Sequence, residues 1–584
     1  MKRCFPAAIF VVLVTTLLPA QQRTINDFFT DFTAEWIRAN PDQATGTRYF
    51  TGEEQRRLER QLTPVTRAFQ LSRIALSKKG LAELGAFDRT RLTGTDRVSA
   101  DLMQWQLERV VQGEPYLDYF FPFEQFQGVN IGLVTTLTSS HPIVVEADAN
   151  NYVARLALVA TRMNEAIEDA RRIAESGRIP PRFILRLTIT QMQQFIGTPA
   201  AENPFVTVLA SKMAAIKDMP AAKRDSLKGE AEQIVSSEIY PAWRKAVALI
   251  EPLVARATDD AGLWRFDKGA EIYAYNLRRY TTTTMTADEI HQIGLREVAR
   301  VEKEMDAILR KLGRTEGTVN ARVAQLKKDQ AYPITEEGRT RIMADVEAIL
   351  RDAEKRAATL FDLRPKAPVM AQPFPRFQEA NAAANYTGPA PDGSRPGVFR
   401  IPLRPERMTK FGLRTLVYHE TVPGHHLQVA LDVENESLPR FRRLRAFGGI
   451  PALSEGWGLY AERLTAESGW YEGDLAGQLG QLDGELFRAR RLVVDTGIHA
   501  KHWTRQQAID YGIEPSEVER YVVYPGQACA YMIGQLKLIE LRDKTRQALG
   551  ARFSAKDFHS AVLRAGTLPL ELLERQVDEY IQRH

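Results

Sequence analysis

Eleven residues, Tyr418-His419-Glu420-Thr421-Val422-Pro423-Gly424-His425-His426-Leu427-Gln428, restrict this chain more than any other stretch. The chain has nine histidines, and His419, His425 and His426 fall within eight residues of one another and beside Glu420. Neutral imidazoles suit Zn²⁺. A helix-borne His-Glu pair followed by a further His supplies two ligands plus a carboxylate able to take a proton from water held at the metal. The expectation is a zinc-hydrolase centre with one Zn²⁺ per chain, which requires a rigid scaffold around it.

The spacing departs from two histidines four apart on one helical face, because Pro423 occupies the fourth position after His419. In a regular helix His425 would lie about 120° off the face of His419 and about 9 Å along the axis, and His426 about 10.5 Å along it. Neither could share one small ion with His419 without distortion. Pro423 cannot continue the hydrogen-bond ladder, and Gly424 tolerates conformations that other residues avoid. The stretch therefore predicts a bulged helix with two extra residues near Thr421 to Gly424, returning His425 to the second-ligand position and leaving His426 facing substrate or supporting a ligand.

The chain of 584 residues can bury a large core. Its net charge of +5 includes Lys2 and Arg3 and gives no electrostatic support to a nucleic-acid role. Lys2 and Arg3, an apolar run from Phe5 to Leu18 and Leu18-Pro19-Ala20 form a signal-peptide pattern. Cleavage is expected near Ala20, giving export to the periplasm or the medium. No later segment approaches about 20 consecutive apolar residues, so the mature chain should carry no membrane span. Cys4 lies at the front of the leader, which argues against a lipid-anchored mature terminus, and Cys529 is the one cysteine beyond it.

Apolar spacings of three and four predict helices over Asp27 to Ala39, Ala100 to Val111, Tyr152 to Ser176 and Ala221 to Ala255. The fold class is mainly α, with a leader over 1–20, an N-terminal helical half over 21–270 and a C-terminal catalytic half over 271–584. The aromatic stretch Tyr116 to Phe126 is read as core. Thr286-Ala287-Asp288-Glu289 is a capping box opening a helix to about Leu312, with His291 on its surface, and another helix spans Glu336 to Leu360. Pro391-Asp392-Gly393-Ser394 marks a turn, and Gly397 to Leu403 a short strand that Pro402 confines to a sheet edge, where an extended peptide could pair.

Beyond the histidines, Leu453-Ser454-Glu455-Gly456-Trp457-Gly458-Leu459-Tyr460-Ala461-Glu462 offers Glu455 as the third ligand, with Gly456 and Gly458 permitting close packing around it. Glu462 is placed to orient a ligand histidine. Arg491, Asp495 and His499 recur every four residues on one helical face, as a solvated ion-pair stripe or as part of the site. His499 and His502 are weak evidence for a second metal. In Glu519-Arg520-Tyr521-Val522-Val523-Tyr524-Pro525-Gly526-Gln527, a tyrosine can stabilise an oxyanion and an arginine can hold a carboxylate, Tyr521 first, then Tyr524 and Tyr531.

Together, His-Glu-x-x-Pro-Gly-His-His-Leu-Gln, Ser-Glu-Gly-Trp-Gly-Leu-Tyr-Ala-Glu, Asp495 to His499 and Arg520-Tyr521 to Pro525-Gly526-Gln527 resemble the bacterial domain-of-unknown-function 885 family (DUF885). That family is similar to gluzincin-type zinc peptidases such as angiotensin-converting enzyme and Taq-type carboxypeptidases. The resemblance implies a large helical zincin-like fold, with a deep cleft between two helical halves and a small sheet edge beside the metal helix. It implies His419, His425 and Glu455 on zinc, Glu420 as general base and Tyr521 at the oxyanion. The Pro-Gly insertion leaves the choice between His425 and His426 open, and Leu459 stands where the peptidases place an orienting acid, a role open to Glu462 or Asp495. The expected activity is hydrolysis of short peptides as a carboxypeptidase or dipeptidase, with Arg520, Arg491 or His499 on a terminal carboxylate. The alternatives are hydrolysis of isopeptide or cell-wall amides, and non-catalytic binding of peptide or metal.

Overall fold

The computed structural model describes residues 23–374, 376–379, 383–391, 393 and 395–584. The signal-peptide expectation over 1–20, and Asp392 and Ser394 of the expected turn, lie outside the described residues. Helices dominate, and the strands form one three-stranded sheet in the order β1 (Val369–Pro373), β3 (Gly397–Ile401), β2 (Asn385–Thr387), with β3 parallel to β1 and antiparallel to β2. Among the described residues no helix is long and apolar enough to cross a membrane.

The expected capping box is present, Thr286 and Glu289 opening Ala287–Lys311, and a second one, Thr504 and Gln507, opens Arg505–Asp510. The helix Glu336–Leu360 has the expected bounds. Two longer expectations are divided. Tyr152 to Ser176 is split into Glu146–Leu156 and Val159–Glu175. Ala221 to Ala255 contains Ala221–Ile234, a π turn over Val235–Ile239, then Tyr240–Ile250 and Leu253–Arg256, the last break falling at Pro252.

The largest apolar core crosses residue 270, whereas the second lies wholly before it. Phe28, Phe29, Phe32 and Trp36, from the first helix, share a core with Phe441, Trp457, Leu459 and Phe558. Trp36 Nε1 donates to Ala446 O at 3.0 Å, and the rings of Phe29 and Phe441 lie 5.2 Å apart. A second core, from Leu62 to Ala257, gathers Tyr152, Met163, Phe205 and Trp243. The start of the chain is thus part of the body that carries the histidines.

Four expectations change with the packing. The strand containing Phe399 is central and not at an edge: its ladder ends at Ile401, so Pro402 lies one residue beyond it and removes no ladder donor. His291 is buried, its Nδ1 lying 2.8 Å from Thr496 Oγ1, because Ala287–Lys311 packs along Leu475–Ala500 with Gly294 against Val493. Arg491, Asp495 and His499 share a face as expected, but all three are buried and so form no solvated stripe. In the aromatic stretch Tyr119 and Phe123 are core, whereas Phe120 and Phe126 are 40% and 37% exposed.

The helices Pro451–Glu467 and Ala530–Leu549 cross at glycine. A Cβ on Gly534 would lie 1.8 Å from Ala452 O, and one on Gly456 would lie 2.6 Å from Gly534 Cα. Gly534→Ala should therefore destabilise the fold by about 3 kcal/mol or more. Gly229→Ala, on the exposed face of Ala221–Ile234 with open space around it, should stabilise it by up to about 1 kcal/mol. Paired urea titrations check both.

Four buried histidines are held neutral, burial pushing His141, His426 and His559 down to about 4 and His499 to about 3. A base whose folded pKa is depressed contributes stability above its unfolded pKa of about 6.5, and that stability is lost as pH falls toward the folded value. The denaturant midpoint should drop between pH 6.5 and 4. In His141→Gln the dependence should flatten by about one proton.

Candidate metal centre

The helix Lys410–Glu420 ends at Glu420, and a new helix, His425–Glu434, begins at His425. The connection is a break where a bulge was expected. Thr421 (φ −118°, ψ −112°) and Gly424 (φ −81°, ψ −125°) both leave the helical region, and the Val422–Pro423 peptide is cis. The Gly424 N–H reaches back to Tyr418 O at 3.0 Å and the His426 N–H to Thr421 O at 3.0 Å. A Cβ at Gly424 would lie 2.0 Å from His419 O, so only glycine allows the chain to pass this close to the end of the first helix.

This break brings the His419 and His425 rings to a centroid distance of 4.6 Å at 80°. The helix Pro451–Glu467 supplies Glu455, whose Oε2 lies 3.6 Å from His419 Nε2 and 3.5 Å from His425 Nε2. The three donor atoms lie within 4.8 Å of one another. Two imidazole nitrogens and one carboxylate oxygen match the donor set of an open zinc site, in which three protein ligands leave a fourth position free. The side chains of His425 and Glu455 remain 14% and 24% exposed, so the cluster reaches solvent.

Gly458 makes room for His419, since a Cβ there would lie 2.6 Å from its Cε1. Trp457 Nε1 donates to Pro423 O at 2.9 Å, tying the glutamate helix to the break. Glu462, two turns after Glu455, is fully buried and accepts from His419 Nδ1 at 2.7 Å. That bond leaves Nε2 of His419 facing Glu455. Arg488 Nη2 stands 3.6 Å from the same Glu462 oxygen and offsets its charge. Although burial acts to lower the His419 pKa, the carboxylates of Glu455 and Glu462 outweigh it and hold the ring up at about 10. Burial likewise opposes ionisation of Glu455, but the two imidazoles keep it well below the usual carboxylate range. A metal entering this cluster displaces a proton.

His426 points elsewhere: its Nδ1 accepts from Tyr386 Oη at 2.9 Å. It ties β2 to the second histidine helix. Glu420 is buried, lies next to His419 in the chain and accepts no hydrogen bond from any described residue.

The remaining candidates form a separate polar cluster. Arg491 Nε donates to Tyr521 Oη at 3.0 Å and Nη2 to Glu517 Oε2 at 2.9 Å, while Tyr521 Oη donates to the same carboxylate at 3.0 Å. Tyr521 is 1% exposed, and its hydroxyl is taken up by these partners and not by the three metal donors. Arg520 donates to Gln527 Oε1 at 2.6 Å and lies 3.4 Å from Glu517. Tyr531 and Tyr524 are half-buried, and the Arg491 guanidinium stacks 4.6 Å over the Tyr531 ring.

Asp495 and His499 are structural anchors. Asp495 accepts from Tyr273 Oη at 2.6 Å and from the Gly526 N–H at 3.0 Å, and burial raises its pKa to about 7. His499 Nδ1 accepts from the Leu263 N–H at 3.1 Å, and its Nε2–H donates to Tyr521 O at 3.0 Å, so neither nitrogen is left for substrate. The roles of Tyr386, Trp457, Arg488 and Glu517 have no motif in the sequence, because each depends on a partner more than 25 residues away.

The family model described as "Bacterial protein of unknown function (DUF885)" matches residues 41–577. The comparison with curated proteins gives no match. Among solved structures, "the putative lipoprotein from Colwellia psychrerythraea" is 30% identical, with a TM-score of 0.89 over 96% of this chain and 100% of that chain. "A putative lipoprotein of unknown function from Shewanella oneidensis" is 18% identical, with a TM-score of 0.68 over 94% and 99%, a likeness of fold alone.

Glu462→Ala removes the carboxylate that orients His419, and zinc affinity measured by chelator competition should fall about 10- to 100-fold. His426→Ala, which loses the contact to Tyr386 but no donor of the triad, should keep its zinc affinity within about twofold.

Proposed function

The chain belongs to the bacterial DUF885 family, whose description names no activity, and from its own residues we propose an exported zinc-dependent peptidase acting on short peptides. One observation carries the reading: Glu420, whose carboxylate accepts no hydrogen bond from a described residue, stands next in the chain to a ligand of a two-histidine, one-glutamate cluster. Export is supported by the apolar leader pattern over 1–20 and by the description of both similar structures as putative lipoproteins.

His419, His425 and Glu455 would hold the ion, which when bound supplies Lewis acidity to a scissile carbonyl and acidity to water. Glu420 takes the proton of the attacking water and delivers it to the leaving amine. Glu462 keeps Nδ1 of His419 protonated, and Arg488 offsets the charge this adds. Tyr521, expected at the oxyanion, is here a positioning residue: with Glu517 it fixes Arg491, which stacks on Tyr531. Helix Ala530–Leu549 places Tyr531 one turn before Gly534, the residue in contact with Gly456 beside Glu455, and Tyr531 is our candidate phenol donor.

Zinc per chain and turnover of a dipeptide panel test the proposal. The parent should hold about one zinc and cleave free peptides, whereas Glu420→Gln should keep the metal and lose about 10²- to 10⁴-fold in kcat. His419→Ala, His425→Ala and Glu455→Ala should each lose the metal. Turnover confined to isopeptides would move the substrate to side-chain or cell-wall amides. Tight peptide binding without product in the zinc-loaded parent would replace the enzyme with a binding protein.

A further inference from the structure

Next to the arginine-tyrosine cluster, side chains from three separated segments meet in a row of three rings with a guanidinium at each end. The Arg520 guanidinium lies 5.1 Å over the Phe126 ring. Phe126 is 6.0 Å from Tyr524, and Tyr524 meets Tyr280 edge-on at 5.1 Å. The Arg279 guanidinium in turn lies 5.1 Å over Tyr280. Phe126 comes from the N-terminal half, Arg279 and Tyr280 from Gly269–Thr281, and Arg520 and Tyr524 from the end of Pro515–Val523.

Two features of this row have no structural use. Phe126 is 37% exposed although its loop is firmly held. The Glu124 carboxylate accepts from the N–H groups of Phe126 and Gln127, Asn130 Nδ2 donates to Glu124 O at 3.1 Å, and Gln125 Nε2 donates to Glu519 O at 3.3 Å. A ring presented to solvent by so many loop contacts is fixed where a ligand can meet it. Arg279 is exposed and has no carboxylate within ion-pair distance among the described residues, in contrast to Arg520, which is shared between Glu517 and Gln527. A guanidinium beside aromatic faces and lacking an acid is a receptor for a carboxylate on an aromatic group.

We propose that Phe126, Tyr280 and Tyr524 form a binding subsite for an aromatic C-terminal side chain, whose free carboxylate pairs with Arg279. The inference deepens the peptidase reading and rests on it for the direction in which a peptide lies, its scissile bond toward the histidines and its C-terminus here. The row reaches toward the metal centre through Arg520, whose partner Glu517 also holds Arg491, and the Arg491 guanidinium stacks over Tyr531, one helical turn from the Gly534–Gly456 contact. A substrate with a blocked C-terminus would leave Arg279 unpaired, so the subsite makes the enzyme a carboxy-terminal and not an internal peptidase.

Calorimetry with the zinc-loaded full chain carrying Glu420→Gln tests this using three N-acetyl dipeptides: one ending in phenylalanine, its C-terminal amide, and one ending in alanine. The phenylalanine acid should bind at least about tenfold tighter than the other two. Adding Arg279→Gln should remove the acid-over-amide preference, and Arg279→Lys should restore part of it. Adding Phe126→Ala should remove the phenylalanine-over-alanine preference while the acid still outbinds the amide. Thermal unfolding controls for folding, and both side chains are exposed enough to be replaced. An acid-over-amide ratio unchanged by Arg279→Gln, or equal affinity for all three ligands, overturns the subsite. The peptidase reading fails separately: a parent that binds these ligands through Arg279 yet cleaves no peptide keeps the subsite and loses the enzyme.

Discussion

The approach of Pro451–Glu467 to His419 is the contact on which the centre depends. A helix side chain normally keeps its neighbours a full Cβ away, and here Gly458 removes that limit at the imidazole while Gly456 removes it at the crossing with Ala530–Leu549. The same helix therefore does three things within eight residues: Glu455 faces both histidines, Trp457 bonds the carbonyl of Pro423, and Glu462 holds Nδ1 of His419. Because the break at Thr421 to Gly424 is fastened by that tryptophan, the position of His425 relative to His419 is set by the helix that also carries the third donor. The ligand distances are thus coupled through one rigid element, as a preorganised site requires.

Behind this centre lies a second layer with a different task. Asp495 receives Tyr273 and the Gly526 N–H, His499 links Leu263 to Tyr521, and Arg491 joins Tyr521 to Glu517. All three come from the same face of Leu475–Ala500, so one helix fastens Gly269–Thr281, the segment at Leu263, and the turn Tyr524–Gly526 to a single frame. Burying these groups is tolerable because their polar atoms are partnered. Arg520 and Tyr524 take their places from that frame, although the residues that set them are distant in sequence.

The parts legible in the sequence were local. Side-chain spacing, capping residues and glycine pairs act over a few positions, and so the Thr286 box, the Glu336–Leu360 helix and the use of Gly456 and Gly458 follow directly from the residues. The Pro-Gly interruption points to the approach of His425 to His419 but not to its form, and Glu455 is offered by its own downstream motif. A bulge keeps one helix axis, whereas Thr421 and Gly424 turn the backbone enough to start another. Burial was the weak point: His291 reads as exposed and the Arg491-Asp495-His499 face is left open between a solvated stripe and a part of the site, because charge along a helix is usually solvated and only tertiary packing against Leu475–Ala500 covers these residues. Pro402 misled for a similar reason, since where a strand ends depends on its neighbours' ladders.

The carboxylates of the centre are treated unequally, and the proposed peptidase reading uses that inequality. Glu455 faces two imidazoles, Glu462 has His419 with Arg488 behind it, and Asp495 has a tyrosine and a backbone N–H. Glu420, as buried as any of them apart from Glu462 and Asp495, accepts no hydrogen bond from a described residue. Glu420 is not among the side chains with a buried, unpartnered oxygen, whereas Glu462 Oε2 is. In the proposed peptidase the partner of Glu420 is the water molecule whose proton it takes, an interaction that exists only while substrate is being turned over.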